Sequence, residues 1–269
     1  MFVIPWNLTR HIERKRNADV IVVAPSKAGR TWLRVMINKY LSLAFNVPFS
    51  IDDLHKQDSS IPSIIYEDWL WYHLRIATLK QRLRGRYIIP MHVLATKKIV
   101  MLVRDPRDII VSAYFQESKR EHGHKQTALS LEDFIHDRKR GIASVIEVLN
   151  LTHEKVTRCP HYMMLRYEDM RADATRELTR FLSFMGVSPA TDLVAQAVAF
   201  GDFNNMRKME MNDALNSAKL RPGNREDPSS FKTRKGKVGG FVDYFGAEDL
   251  AYLDQHVARL HADFGYQPH

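Results

Sequence analysis

Short apolar runs alternate along the chain with longer stretches in which apolar residues recur every three or four positions. Asp19–Ala24 ("DVIVVA"), Arg86–Met91 ("RYIIPM"), Lys98–Val103 ("KIVMLV") and His161–Arg166 ("HYMMLR") read as strands. A helix is expected from about Thr31 to Ala44, where Leu33, Met36, Ile37, Tyr40, Leu41 and Ala44 share one face. Asp105-Pro106-Arg107-Asp108 reads as a helix start, with Asp105 at the N-cap and Pro106 in the first turn. Thr175–Met185 is a helix ended by Gly186. Leu131–Leu149, Leu193–Phe200 and Glu248–Phe264 complete the helical pattern. Strand and helix in alternation predict an α/β fold, a three-layer sandwich with a central parallel sheet flanked by helices. No repeat or composition break divides residues 1–269, so a single domain is expected.

One stretch breaks the pattern. Lys219–Gly240 ("KLRPGNREDPSSFKTRKGKVGG") is rich in Pro, Gly and Ser and carries seven cations against two acids, Glu226 and Asp227. A loop of that length is either functional or disordered. Two other segments invite a reading as acceptor-contacting surface. Ile64–His73 ("IIYEDWLWYH") concentrates aromatic residues, and Gln116–Lys125 ("QESKREHGHK") is polar. Aromatic packing on the core and a solvated loop are the alternatives.

Charge narrows the ligand class. The net charge is +9, which favours anionic ligands without choosing among nucleotides, sulfated or phosphorylated substrates, nucleic acid and anionic membrane surfaces. The single cysteine, Cys159, excludes an internal disulfide. The N-terminal apolar run before Arg10 is too short for a signal peptide or a membrane span, so a cytoplasmic protein is expected. Phe2, Val3, Ile4 and Trp6 followed by Arg14-Lys15-Arg16 have the make-up of a weak membrane-surface or partner contact; a packed terminus is the alternative.

Ligands of open parallel sheets bind beyond the carboxyl ends of the strands. Lys27, Gly29, Arg30 and Thr31 follow the first strand, His92 the second, Arg104 the third and Tyr167 the fourth. Together they describe an anion site with a candidate general base. Gly29 lets the backbone approach an anion, the helix behind it offers free N–H groups, and Lys27 adds a point charge. The loop is not the G-x-x-x-x-G-K-[ST] type, because Lys27 precedes the glycine. No acid is obviously placed for Mg²⁺, and no metal is expected.

"SKAGRTWL", "VRDPRDIIVSAYF", "YEDM" and "FKTRKGKVGG", in this order, resemble the sulfotransferases that use 3′-phosphoadenosine 5′-phosphosulfate (PAPS) and release the bisphosphate PAP. The resemblance implies a fold like that of the P-loop nucleoside triphosphate hydrolases and sulfuryl transfer to a hydroxyl or amine. It places Lys27, Ala28, Gly29, Arg30, Thr31 and Trp32 around the 5′-phosphosulfate and adenine, with Lys27 also stabilising charge as the sulfuryl group leaves. Arg104 and Ser112 are matched to the 3′-phosphate, Tyr167 and Phe203 to the adenine, and Arg234, Lys235 and Gly236 to a lid over the 3′-phosphate. His92 is matched to the catalytic base.

The chain also departs from that pattern. Ser26, Ala28 and Arg30 stand where proline, serine and threonine are usual, Pro90 where a lysine is common, and Gly240 where an aspartate is usual. The Lys-x-x-x-Thr-Val dimer element is not visible, which leaves the oligomeric state open. The acceptor expected is a small molecule, glycan or lipid, and not nucleic acid. The rival classes are a nucleotide-kinase-like phosphoryl transferase, which lacks its Walker loop, and a basic nucleic-acid-binding protein, whose cations would form a stripe interleaved with aromatics.

Overall fold

A computed structural model of the chain describes residues 13, 15–67, 91–120 and 127–269. Four strands, β1 (Val20–Val23), β2 (Ile64–Glu67), β3 (Lys98–Val103) and β4 (Tyr162–Arg166), form an all-parallel sheet in the order β2-β1-β3-β4. Val20 pairs with Ile64 on one side and with Lys98 on the other, and Val103 pairs with Arg166. The chain leaves β1 to build outward to β2, then returns across it to β3. The strand order therefore reverses between β1 and β3, and a crevice opens beyond their carboxyl ends.

Both faces of the sheet are covered, which is why the strands read as continuous apolar runs. Alternate residues serve opposite faces. Val20, Val22, Val100 and Leu102 pack against Leu33, Met36, Ile37 and Leu41 of α1 (Arg30–Ala44), with Phe181 and Leu182 from farther along the chain. Ile21, Val23, Ile99, Met101 and Val103 pack on the other face against Ile109 and Ile110 of the helix after β3. In chain order after α1 come α2 (Met91–Leu94), α3 (Pro106–Lys119), α4 (Leu131–His136) and α5 (Ile142–Val156). They are followed by α6 (Tyr167–Ala172), α7 (Ala174–Met185), α8 (Thr191–Phe200), α9 (Phe203–Met211) and α10 (Ala247–Val257).

The expected start of α3 is observed. The Asp105 carboxylate accepts from the Arg107 N–H at 2.9 Å, and Pro106 occupies the first turn. The same carboxylate pairs with the Arg107 guanidinium at 2.8 Å, and Arg107 reaches on to Asp254 of α10. This buried network ties the helix that opens the crevice to the far end of the chain. Gly186 caps α7 at φ 91°, as its sequence position implies.

Three expectations are corrected. The strand beside β1, on the side away from β3, is Ile64–Glu67, a segment the sequence does not announce as a strand. Ile64 and Ile65 are buried against β1, whereas Met91 opens α2; residues 86–90 lie outside the described residues. Leu131–Leu149 is two helices, because Asp137 turns its side chain onto the N–H groups of Lys139 and Arg140 and closes α4. The last helix ends at Val257 rather than Phe264. There the Asn150 amide donates to the Arg259 carbonyl and accepts from the His261 N–H, replacing bonds that would continue the helix. The apolar N-terminus lies outside the described residues, but Lys15, read as part of its basic flank, is buried and paired with Glu67 at 3.3 Å. Among the described residues no helix is long and apolar enough to cross a membrane.

Candidate active site

The crevice holds a cavity of about 300 Å³ between the β1–α1 loop, the start of α3, α6, α9 and the basic segment 219–240. The loop achieves its turn through two residues in the left-handed region, Lys27 at φ 74° and Gly29 at φ 95°. Glycine is required at the second on steric grounds as well. A Cβ there would stand 2.6 Å from the Tyr167 ring. Arg30 and Thr31 then open α1 and line the cavity, where the free N–H groups of the first turn favour an anion. Ala28 is fully buried in the core beneath the loop and does not line the cavity.

One face of α3 forms the next wall. Asp108, Ser112 and Gln116 recur every four residues and all reach the cavity. Lys27 Nζ donates to Gln116 Oε1 at 2.9 Å. Arg104, at the end of β3, is held by several groups at once. Its guanidinium donates to the Lys27 carbonyl (3.3 Å) and the Lys237 carbonyl (3.2 Å), pairs with Asp108 (3.4 Å), and lies 4.3 Å over the Tyr167 ring. Its Nε is buried with no hydrogen-bond partner among the described residues.

Aromatic residues occupy another part of the same cavity. Trp32 and Tyr167 meet edge to face with centroids 5.6 Å apart, and Trp32 Nε1 donates to the Gly201 carbonyl at 2.8 Å. Arg171, one turn after Tyr167 on α6, lies over the Trp32 ring. Phe203 projects from the first turn of α9, and Gly236 packs flush against it. At φ 61° a Cβ on Gly236 would come within 2.7 Å of the Phe203 ring.

The basic segment is an ordered lid, strapped at two points by carboxylates. Glu210 of α9 is fully buried and accepts from the Lys232 N–H (2.7 Å), the Thr233 N–H (2.9 Å) and the Thr233 hydroxyl (2.7 Å). Asp108 accepts from the Gly239 N–H at 3.0 Å and the Phe241 N–H at 3.1 Å. Between the straps lie Arg234, Lys235, Gly236 and Lys237. Arg234 stacks 4.0 Å over the Phe115 ring and donates to the Tyr244 hydroxyl.

So many cations in one crevice disturb one another. Burial, followed by the charges of Arg120, Lys232 and Arg104, pulls the Lys27 ammonium down from 10.5 to about 7. Burial and Arg120 pull Lys232 down to about 8. Burial pushes the Asp108 carboxyl up, against the opposing pull of Arg104. The cavity is thus a desolvated cationic site, which an anion would relieve.

Of the residues singled out from sequence, Lys27, Gly29, Arg30, Thr31, Trp32, Arg104, Ser112, Tyr167, Phe203, Arg234, Lys235 and Gly236 come together on this cavity. His92 does not; it stands exposed on α2, outside the wall. Sequence reasoning missed Asp108, Gln116, Arg171, Lys232 and Tyr244. The four-residue spacing of Asp108, Ser112 and Gln116 was a signal for two of them. Lys232 and Tyr244 become site residues only through the path of the lid.

Residues 17–265 match the family model described as the sulfotransferase domain, so the chain belongs to that family. It is 25% identical over 258 residues to cytosolic sulfotransferase 5 of Arabidopsis thaliana, covering 87% of this chain and 77% of that protein. It is 27% identical over 266 residues to sulfotransferase 1A1 of Mus musculus, covering 90% and 84%. Among solved structures it resembles mouse sulfotransferase SULT7A1 complexed with PAP, at TM-score 0.62 and 17% identity, over 97% of this chain and 92% of that one. It also resembles retinol dehydratase in complex with androsterone and the inactive cofactor PAP, at TM-score 0.61 and 18% identity, over 94% and 82%.

The strap at Glu210 generates a prediction. Glu210→Ala removes three hydrogen bonds to a buried carboxylate, each of the charged kind that contributes about 1.5–3 kcal/mol. Amide hydrogen exchange across residues 231–238 should accelerate about 100-fold, with β1 and β3 unaffected. Unchanged exchange in that segment would show that Glu210 does not hold the lid.

Proposed function

We propose that this sulfotransferase uses PAPS and transfers its sulfuryl group to a hydroxyl or amine of a small-molecule acceptor, with His92 as the general base. The observation that supports this most strongly is the convergence, in one cavity at the β1–β3 switch, of two sets of cationic and hydroxyl side chains around the rings of Trp32, Tyr167 and Phe203. Lys27 and Thr31 lie at the N-terminus of α1. Arg104 precedes α3 and Ser112 lies on it, while the lid brings Arg234 over Phe115 and Gly236 against Phe203. A nucleotide with separate anionic groups on its 5′ and 3′ positions matches that division.

The residues present fit such a ligand. The buried, unpartnered Nε of Arg104 is a donor suited to a phosphate oxygen. Gly29 and Gly236 let the loop and the lid backbone pack directly against the Tyr167 and Phe203 rings, and both rings line the cavity beside Trp32, where a base has aromatic partners. When bound, PAPS supplies an activated sulfuryl group. Lys27 stands at the loop to stabilise negative charge on the leaving phosphate, and a lysine lowered to about 7 by burial and then by its cationic neighbours gains a proton as that charge arrives. The lid excludes water from the nucleotide. Taking the proton from the acceptor hydroxyl or amine is the role the family resemblance implies for the His92 imidazole, which stands exposed on α2 outside the cavity wall; a general base contributes on the order of 10²–10⁴ in rate. Relatives named as cytosolic sulfotransferases accord with a cytoplasmic enzyme. Glycan or lipid acceptors belong to the same chemical class of hydroxyl and amine nucleophiles.

PAP should bind in calorimetric titration without divalent metal, and binding should take up protons. The sign follows from Lys27. Its free-site value of about 7 rises toward 10.5 when an anion sits beside it. Uptake is therefore present between those values and absent below them, and affinity falls as pH rises through the window. Titrations in two buffers of different ionisation enthalpy should show uptake of about half a proton or more near pH 8 and little near pH 6. Binding with no uptake near pH 8 contradicts the account of Lys27, and binding of ATP-Mg²⁺ alone contradicts the function.

His92→Ala should reduce sulfuryl transfer at least about 100-fold while leaving PAP affinity within about threefold. Turnover equal to that of the wild type removes His92 from the mechanism.

A further inference from the structure

The lid brings cations to two different parts of the cavity. Arg234 and Gly236 lie against Phe115, Tyr244 and Phe203. Lys232, only two residues earlier, is directed elsewhere. Its Nζ donates to the carbonyls of Ala218 (3.2 Å) and Lys219 (2.6 Å). The Lys219 carbonyl also accepts from the Thr31 hydroxyl at 3.5 Å, in the first turn of α1. A single carbonyl thus sets the Lys232 ammonium beside the helix N-terminus that the Lys27 loop feeds. The Lys232 backbone is fixed at the same time by its N–H bond to the buried Glu210 carboxylate.

We propose that Lys232 is a second cation for the anionic group that Lys27 receives, the 5′-terminal phosphate or phosphosulfate of the nucleotide. This rests on the function proposed above. Three observations support it. Both lysines line the same cavity, and the carbonyl that holds Lys232 also accepts from Thr31, four residues after Lys27. An ammonium has three donors, and two carbonyls account for two of them. Lys232 is also close enough for its charge to add to the burial that lowers the Lys27 ammonium, so an anion lying between them would favour the protonated form of Lys27. The lid then spans the nucleotide, with Lys232 at the 5′ end and Arg234–Gly236 at the 3′ end, and lid closure itself completes the 5′ site.

The alternative is that Lys232 only ties the lid to the 218–219 turn. Binding of two nucleotides separates the two roles. PAP carries both phosphates, whereas adenosine 3′-monophosphate lacks the 5′ group. Lys232→Met keeps the backbone bond to Glu210. It should weaken PAP about tenfold or more while changing adenosine 3′-monophosphate less than about twofold, and Lys232→Arg should restore PAP binding to within about threefold of the wild type. Equal loss for both nucleotides, or no loss for PAP, overturns the proposal and leaves Lys232 as a tether. A wild-type chain that binds neither nucleotide overturns the function on which the proposal rests.

Discussion

Like-charge repulsion is the constraint around which this molecule is organised. Lys27, Arg30, Arg104, Lys232, Arg234, Lys235 and Lys237 all line one cavity. Left to themselves, such groups would drive the lid away from the sheet. Two carboxylates prevent this, and each works mainly through backbone N–H groups. Glu210 fixes the lid at residues 232–233, and Asp108 fixes it at 239 and 241 while also pairing with Arg104. Neither acid makes an ion pair with Lys27, and the pull of the Glu210 charge is outweighed by burial and by Arg120, Lys232 and Arg104. The cationic character of the pocket survives, and burial, with the like charges second, lowers the titration of Lys27 and Lys232.

That arrangement links fold to function through the topology of the sheet. The reversal between β1 and β3 opens the crevice, and the residues just past those strands are the first to enter it. The left-handed turn at Lys27 and Gly29 aims the loop at the crevice, and the Asp105 cap starts α3 so that Asp108, Ser112 and Gln116 face inward. Aromatic residues from α1, α6 and α9 complete the cavity from the other side. A nucleotide with two anionic ends answers each of these features. The ordering of the lid is then a consequence of buried hydrogen bonds rather than of the lid's own composition, which reads as a flexible loop.

Local chemistry was legible in the sequence, and tertiary placement was not. The β1–α1 loop, the Asp105 cap, the Gly186 stop and the alternation of strand and helix are all encoded within a few residues of where they act. The identity of β2 was not legible, because "IIYE" is too short to announce a strand and is one only through burial against β1. The lid straps were hidden for a related reason. Glu210 lies more than twenty residues from the N–H groups it accepts from, and Asp108 more than a hundred and thirty. Lys232 was not legible as a site residue, because its neighbours in sequence, Arg234 and Lys235, lie against other groups, the Phe115 and Tyr244 rings. His92 reads from sequence as a strand-end residue, yet it stands on a short helix outside the cavity wall.

The central claim is that this cavity reads a nucleotide by its 3′-phosphate, through Arg104, Ser112 and the lid. The affinity of the purified chain for PAP relative to adenosine 5′-monophosphate tests it most directly. The account predicts that PAP binds about 100-fold more tightly, the worth of two charge-assisted contacts to the additional phosphate. Equal affinities for the two nucleotides would contradict it.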